Sequence, residues 1–497
     1  MRRGFVCWVS SCLFCLLVLG GCESGGDKGK ILRVGTEPAY PPMEFQGKKG
    51  ELQGFSIDLM NAIASSGNFK INFQTVPFDG LIPALQANTL DVAISSMTIT
   101  EERSKTVTFS RPYFKSGLAI AIKSNNQEIT SFDKLKGKKI AVQIGTTGAA
   151  KGKEANAAQI RTFDSTPSAL QELVNGNVDA MIGDAPVIAY AINSGNIPGI
   201  KVVQKLLTEE YYGIPTPKNS PNLALINQGL GKILENGTYA QIYQKWFKAT
   251  PPVLPEKIAF NSKTNDSSNA IATSFNIFVQ SFPILLQGAL VTLQLTVFSV
   301  FLGLISGTLI GIIRLSHLAP LRLIARGYVD FFRGTPLLVQ IFMIYFGIPA
   351  LIQSLGLNFS LNRFVAAVIA LSLNSAAYIA EIVRAGIQSI ETGQSEAAQS
   401  LGLSSVQTMR FVIFPQAFRR MLPPLGNEFI SMLKDTSLVA VIGFEELFRK
   451  GQLIVAQNYR AFEIYAGVAI IYLCLTLLSS QAFSWLEKSM NPIQKRP

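Results

Sequence analysis

The stretch 282–313 contains no Asp, Glu, Lys or Arg, and it constrains the chain more than any other feature. A helix needs only about 20 apolar residues to cross the hydrocarbon core of a bilayer. Four further long apolar segments follow, at 334–362, 364–380, 421–444 and 464–486. We therefore predict an all-α membrane domain of five transmembrane helices over residues 274–497.

The first half of the chain has the composition of a soluble domain. Residues 30–250 mix charged and apolar side chains, although 48% of the whole chain is hydrophobic and only 15% is charged. Much of the net charge of +12 lies between the apolar segments, as expected for cytoplasmic loops. No basic run is interleaved with aromatic residues, so nucleic acid is not an expected partner. With one histidine in the chain and no cysteine in 28–250, no metal site is predicted.

The N-terminus has the features of a targeting segment. Arg2 and Arg3 precede the apolar stretch 5–19, and Leu19-Gly20-Gly21-Cys22 follows. These four residues resemble a bacterial lipobox, which implies a lipoprotein signal peptide at 1–22 with Cys22 lipidated. Ordinary cleavage nearby and retention as a signal anchor are the alternatives.

Strand-like and helical periodicities alternate through residues 28–250. Strands are predicted at 31–36, 71–76, 92–97, 139–143 and 178–182, and helices at 57–64, 79–87, 166–176, 221–247 and after Thr147. The βαβ rhythm occurs twice, so it predicts two α/β lobes. The last helical stretch is expected to return to the first lobe.

Motifs in the first lobe carry a resemblance to a known family. They are Gly54-Phe55-Ser56-Ile57-Asp58-Leu59, the run 78–86, and the run 96–103. Residues 31–249 resemble the extracellular solute-binding proteins for polar amino acids. The resemblance implies a two-lobed periplasmic-binding-protein domain of type II that closes on a free amino acid.

The resemblance also implies how the backbone atoms of the ligand are held. A carboxylate suits a bidentate guanidinium and further donors, and an ammonium needs acceptors. Arg103 matches the carboxylate-binding arginine of the family, with Thr98 and Thr147 as donors. Asp184 and the carbonyl of Ser96 match the acceptors for the ammonium.

Other matched positions surround the ligand side chain. Tyr40 and Phe78 match the aromatic walls, and Glu37 falls where the family often places an acid facing the distal end. A cationic tip there gains a charge-assisted contact. Structural interpretations stay open: Arg103 as a surface helix residue, Asp184 as a helix N-cap, the threonines as a turn, the aromatics as core, and Glu37 as a solvated acid.

Residues 251–273 begin with Pro251-Pro252, are rich in Pro, Asn, Ser and Lys, and are typical of a linker. A flexible coil of this length spans roughly 25 Å on average. That reach suffices for the binding domain to dock on its own membrane domain and to undock.

A polar loop after the third apolar segment carries a second motif. It contains Glu396-Ala397-Ala398, then Gly402, then Val412-Ile413-Phe414-Pro415. The spacing resembles the cytoplasmic coupling loop of ABC-importer permeases, although Val412 and Phe414 replace the usual Ile and Leu. The resemblance implies a type I importer fold. It also implies a partner ATPase held through five residues: Glu396, Ala397, Ala398, Gly402 and Pro415.

The chain has no G-x-x-x-x-G-K-[ST] motif. ATP and Mg are therefore expected on a separate ATPase subunit, and no cofactor on this chain. One permease half cannot enclose a path alone; a homodimer is the simplest completion, and a heterodimer the alternative. Glu428, Lys434 and Asp435 resemble a family segment that lines the translocation path, unless Lys434 simply pairs with Asp435.

The predicted function is that of the substrate-binding and permease subunit of an ATP-driven amino-acid importer, not an enzyme. Glu37, Asp184 and the aromatic pair favour arginine, lysine or histidine, with glutamine a further candidate. The expected location is the bacterial inner membrane, with the binding domain in the periplasm and the C-terminus in the cytoplasm. A ligand-gated ion channel of the ionotropic-receptor type is the alternative, although its pore interrupts the clamshell and none does here.

Overall fold

A computed structural model describes residues 31–194, 197, 199–203, 206–260, 270–357, 359 and 361–490. The predicted signal peptide, Cys22 and residues 261–269 of the predicted linker lie outside the described residues. Two α/β lobes come first along the chain, and a helical domain follows.

Among the described residues, fifteen strands build the two lobes. They are β1 Ile31–Thr36, β2 Ala39–Tyr40, β3 Glu44–Gln46, β4 Leu52–Gln53, β5 Lys70–Thr75, β6 Val92–Ala93, β7 Val107–Phe109, β8 Phe114–Ser116, β9 Leu118–Lys123, β10 Lys139–Gln143, β11 Gln159–Phe163, β12 Ala180–Asp184, β13 Ile200–Val202, β14 Glu210–Tyr212 and β15 Pro215–Pro217. The first lobe contains the sheet β5-β1-β6, and the second contains β11-β10-β12-β9-β13. The pairs β7–β15 and β8–β14 join the lobes, so the chain crosses between them twice.

Helices cover these sheets. They are Phe55–Gly67, Phe78–Gln86, Glu101–Thr106, Thr147–Glu154, Thr166–Val174, Ala185–Asn193, Asn222–Glu235 and Thr238–Phe247, with a 3-10 turn at Phe132–Leu135. Thr100, Thr146 and Ser165 begin three of them, each accepting a backbone N–H of the first turn. The last two helices pack on Phe55–Gly67, so the chain returns to the first lobe as predicted.

Most predicted elements of the binding domain are present, but two are altered. The predicted strand 92–97 is ordered as strand only at Val92–Ala93, because the chain then turns through Ser96 at φ 51°. The single helix predicted at 221–247 is two helices, which Gly237 separates at φ 79°. Both breaks fall where the backbone enters the left-handed region.

The membrane domain is all helical among the described residues. Its helices are Ala270–Arg314, Ala319–Gly334, Leu337–Phe342, Ile348–Ser354, Arg363–Gln388, Thr392–Ser400, Ser405–Thr408, Phe414–Asp435, Leu447–Asn458 and Ala461–Met490. Two π-helical turns, Met343–Gly347 and Met409–Ile413, and a 3-10 stretch, Thr436–Ile442, continue the helices beside them.

Within the described part of the chain, three helices are long and apolar enough to cross a membrane: Ile277–Arg314, Arg363–Gln388 and Ala461–Met490. A fourth is counted if the pair Ala319–Gly334 and Leu337–Ile352, bent by 105°, forms one span. The helix at the predicted fourth segment, Phe414–Asp435, does not meet this test. The helix Ala319–Gly334 was not predicted, because it is amphipathic rather than apolar and so has no hydropathy signal.

Glycines allow the first long helix to pack closely on Arg363–Gln388. A Cβ atom placed on Gly303, Gly307 or Gly311 would lie within 3 Å of a heavy atom of the facing helix. At Gly307 the nearest atom is the carbonyl oxygen of Ala376, at 2.7 Å. Small residues that let two backbones approach are typical of membrane helix interfaces.

We expect Gly307→Val to destabilise the membrane domain by roughly 1–3 kcal/mol, because the added methyl groups meet backbone that cannot move away. Thermal unfolding in detergent measures the effect. Gly327→Val is the matched control, because a Cβ there meets nothing within 4 Å. Equal unfolding temperatures for the two variants would contradict this packing.

Candidate functional site

The predicted ligand residues converge on the cleft between the lobes. Ten residues line a residual cavity of about 10 Å³: Tyr40, Phe78, Ser95, Ser96, Thr98, Arg103, Gln143, Thr146, Thr147 and Asp184. Seven of the eight predicted ligand residues are among them. The eighth, Glu37, is buried behind Gln143 and donates its backbone N–H to the Ser95 hydroxyl. A volume of this size holds about one water molecule, so the cleft is closed.

Arg103 joins the two lobes. It is only 4% exposed, and its guanidinium donates to the carbonyl of Thr98 at 2.7 Å and to that of Gly145, across the cleft, at 2.9 Å. The guanidinium also lies over the ring of Phe78, 5.4 Å from its centroid. The interpretation as an exposed surface residue is therefore wrong, and the cation faces the cleft.

Asp184 ends β12 at the start of the helix Ala185–Asn193. Its carboxylate makes no capping hydrogen bond; instead it accepts the hydroxyls of Tyr212 and Tyr40. Burial raises the pKa of Asp184 to about 6, and the nearby Glu210 adds to the increase. An ionised carboxylate with two phenol partners is a suitable acceptor for an ammonium group.

Glu37 lies at another end of the cleft, with different neighbours. The amide of Gln143 donates to its Oε2 at 2.8 Å, and Gln143 also accepts the hydroxyl of Thr166. Burial raises the pKa of Glu37 to about 8, with smaller contributions to that increase from the charges of Asp79 and Asp164. Glu37 is 6% exposed, so the interpretation as a solvated acid is wrong.

The two threonines face an acid that the sequence motifs did not indicate. Thr98 and Thr147 both donate their hydroxyls to Oε2 of Glu210, at 2.7 and 2.9 Å. A hydroxyl has one proton, so in this arrangement neither can donate its side chain to a ligand carboxylate. The backbone N–H of Thr147 remains a candidate donor, because Thr147 is the first residue of the helix Thr147–Glu154.

The other predicted residues form the walls. Tyr40 and Phe78 are buried and belong to hydrophobic clusters of the first lobe, so they serve as core and as cleft wall together. Ser96 adopts φ 51°, and its hydroxyl donates to the buried Glu44 at 3.1 Å. The left-handed turn carries the chain from β6 into the cleft.

Two of the three predicted path residues line one cavity in the membrane domain. Glu428 and Asp435 face a space of about 660 Å³ together with Arg333, Asn374 and Tyr378. Glu428 accepts the Ser375 hydroxyl at 3.0 Å. Lys434 is exposed and does not line it, and among the described residues no ion pair joins Lys434 to Asp435.

The predicted coupling residues form a compact surface element. The helix Thr392–Ser400 carries Glu396, Ala397 and Ala398, and Gly402 ends it at φ 84°. Pro415 opens the helix Phe414–Asp435. Exposed apolar side chains surround this element: Leu401 is 83% exposed, Val406 76% and Phe411 62%. Such a patch is typical of a surface that a partner covers.

A closed α/β cleft with a buried arginine and buried acids, attached to a helical membrane domain, defines a membrane-bound receptor for small charged solutes. Residues 32–249 match bacterial extracellular solute-binding proteins, family 3. Residues 299–492 match the binding-protein-dependent transport system inner membrane component.

Individual proteins are similar to one or the other half of this chain. The glutamine transport system permease protein GlnP of Escherichia coli K12 is 44% identical over 211 residues, which are 42% of this chain and 94% of GlnP. The arginine transport system permease protein ArtQ of Bacillus subtilis 168 is 39% identical over 217 residues, 44% of this chain and 97% of ArtQ. Among solved structures, an ancestral arginine-binding protein bound to arginine is 45% identical, with a TM-score of 0.42, over 44% of this chain and 98% of that one.

The chain belongs to the amino-acid ABC importers, and it fuses a solute-binding domain to a permease domain. It is a transport protein for polar amino acids, since its relatives are transport permeases and binding proteins. This similarity to transport permeases argues against the alternative of a ligand-gated ion channel.

We expect Arg103→Ala to weaken amino-acid binding by about 100-fold. A hydrogen bond to a charged group contributes roughly 1.5–3 kcal/mol, and about 1.4 kcal/mol is a factor of ten in affinity. Titration calorimetry on the full chain in lipid nanodiscs measures the loss. Lys105→Ala, an exposed position on the same helix, is the control, and equal affinities for the two variants would contradict this role.

Proposed function

We propose that the chain is the receptor and permease subunit of an ATP-driven importer of basic amino acids, with arginine as the preferred ligand. The observation that carries this proposal is the group of acids near Gln143. Asp79 and Asp164 both raise the pKa of the buried Glu37 there, although Arg449 pairs with Asp164, and no cation of the described residues pairs with Glu37 itself. A cationic side-chain tip offsets that negative charge, whereas a neutral amide does not.

The other end of the cleft suits the common part of any amino acid. Asp184, with Tyr40 and Tyr212, accepts the ammonium, and Arg103 with the N-terminus of Thr147–Glu154 receives the carboxylate. Arginine and glutamine both have this common part. The group of acids is the feature that favours arginine over glutamine.

The proposal extends to the assembly. The permease halves of two chains form a homodimer with five membrane-spanning helices each, and Phe414–Asp435 continued by Thr436–Ile442 is the polar fourth span. A separate ATPase binds the exposed element around Glu396, Ala397, Ala398, Gly402 and Pro415. The binding domain faces the periplasm, the coupling element and the C-terminus face the cytoplasm, and Cys22 anchors the mature chain through a lipid.

We expect arginine affinity to rise about fivefold from pH 7 to pH 8 and about twofold more above pH 8 before it levels off. Glu37, with its raised pKa near 8, is mostly protonated at pH 7 in the empty cleft. A guanidinium requires the ionised form, so binding releases a proton, and this cost disappears above the pKa. Calorimetry in two buffers of different ionisation enthalpy counts the released protons.

Citrulline and Glu37→Gln provide the controls for this linkage. Citrulline has the shape of arginine without its charge, so its affinity should stay flat over the same pH range. Glu37→Gln should remove the slope for arginine as well. Tighter binding of glutamate than of arginine, or the same pH slope for arginine and citrulline, would overturn the proposed specificity.

We expect Gly402→Val to abolish arginine uptake while leaving arginine affinity unchanged. A β-branched residue at φ 84° is strained, so the coupling element changes shape far from the cleft. Uptake of labelled arginine by cells that express the chain with its ATPase measures the defect. Gly393→Val lies in the same element at a helical position with open space around it, and it should transport normally. Normal uptake by both variants would argue against the coupling assignment.

A further inference from the structure

Glu210 is a buried acid that takes the hydroxyls expected to serve a ligand. It begins β14, in the segment that joins the two lobes, and is 8% exposed. Its Oε2 accepts the hydroxyl of Thr98 from the first lobe and that of Thr147 from the second. Its Oε1 accepts the hydroxyl of Thr208 at 3.0 Å. The carboxylate of Glu210 therefore lies between the lobes, beside two residues that line the cavity.

The bonds from Thr98 and Thr147 to Glu210 compete with the binding of a ligand carboxylate. Each hydroxyl has one proton, so it can donate to Glu210 or to the ligand but not to both. A second carboxylate brought to the same threonines also meets the negative charge of Glu210, and two carboxylates that share a site disfavour each other's ionised forms. Glu210 thus holds two of the partners that a ligand carboxylate needs.

The hydrogen-bond partners of the cleft acids favour a ligand with more positive charge than an amino acid carries. Glu37 accepts an amide N–H, Asp184 accepts phenol hydroxyls, and Glu210 accepts alcohol hydroxyls. All these partners, within the described part of the chain, are neutral. Arg103 is the cation of the cavity lining, and it donates to two backbone carbonyls and not to a carboxylate. A ligand with two positive charges and no carboxylate therefore suits these acids better than a zwitterion does.

We propose that the cleft also accepts ligands that lack a carboxylate, namely amines that carry a guanidinium or a second amine at the far end. The amine meets Asp184 and the distal cation meets Glu37, so the inference rests on the proposed function for these two contacts. With such a ligand Glu210 keeps its bonds to both threonines, and Arg103 keeps its bonds to the carbonyls of Thr98 and Gly145. No buried donor among these groups then loses its partner.

Internal partners change how the cleft discriminates between ligands. A site whose buried donors depend on one group of the ligand rejects the analogue that lacks this group, on the order of 10⁴-fold or more. Here the donors that face the missing carboxylate already have acceptors within the protein. We therefore expect agmatine, which is arginine without its α-carboxylate, to bind the full chain with an affinity within about tenfold of that of arginine.

The test measures both affinities by calorimetry on the full chain in lipid nanodiscs, for the wild type and for Glu210→Gln. The variant keeps the shape of the side chain and removes its charge. Arginine should bind more tightly, because its carboxylate no longer meets a negative charge, and agmatine more weakly, because its amine loses a nearby acid. The ratio of arginine affinity to agmatine affinity should rise at least about tenfold. A role of Glu210 in the fold alone would change both affinities by the same factor.

Two controls accompany the variant. Glu209→Gln changes the exposed neighbour, which pairs with Lys115 on the surface, and it should leave both affinities unchanged. Argininamide has the bulk of arginine and a neutral amide in place of the carboxylate. It should bind the wild type within about tenfold of arginine as well, which separates charge from size. This measurement needs no variant, so it stands even where Glu210→Gln fails to fold.

The outcomes separate this inference from the proposed function. Arginine binding to the wild type with agmatine and argininamide each weaker by about a hundredfold or more, a loss of about 2.7 kcal/mol, would overturn the inference and leave the proposed function intact. An affinity ratio that Glu210→Gln leaves unchanged would overturn the inference as well. Binding of glutamine with no binding of arginine or agmatine would overturn both.

Discussion

Two hydrogen bonds from the guanidinium of Arg103 hold the lobes together, and the chemistry of the cleft depends on them. One goes to Thr98 in the first lobe and the other to Gly145 in the second. Closing the lobes in this way also buries the carboxylates of Glu37, Asp184 and Glu210. The raised pKa values of Glu37 and Asp184 show that burial disfavours the ionised carboxylates. A positively charged ligand stabilises the ionised carboxylates, so closure and the binding of a cationic ligand favour each other.

The closed lobes contact the helix Leu447–Asn458 of the membrane domain. Asp164 pairs with Arg449 of that helix, and Gly145, whose carbonyl accepts Arg103 across the cleft, lies beside Ala456. The interface includes a buried arginine that is incompletely hydrogen-bonded, so it is poorly suited to permanent association. A tether compensates for weak docking by raising the local concentration of the receptor. Fusion of the two domains is therefore consistent with an interface that is incompletely hydrogen-bonded.

The sequence predicted the parts of the cleft that short motifs carry, and it missed those formed by distant segments. Seven of eight predicted ligand residues line the cavity because they lie in local motifs on elements with strong periodicity. Glu210 was missed because nothing in its neighbourhood distinguishes it from the adjacent exposed acid Glu209, and its partners lie far away along the chain. In the sequence Arg449 is a basic residue between two apolar segments, and its pairing with Asp164 could not be predicted because the two residues are far apart along the chain. The sequence predicted spans at 334–362 and 421–444, but it did not predict the 105° bend beside the second segment, nor that the helix at the fourth segment would have polar residues facing a cavity.

A nearly continuous run of helix connects the two ends of the permease. The π-helical turn Met409–Ile413 leads directly into Phe414–Asp435, and the 3-10 stretch Thr436–Ile442 continues that helix. The helix Leu447–Asn458 begins five residues later. The middle helix alone is about 33 Å long, and it carries Glu428 and Asp435 into the membrane cavity. Under the proposed function, the coupling element and the cavity acids therefore belong to one run of helix, so that a shift imposed at Pro415 reaches Glu428 and Asp435 through the same element.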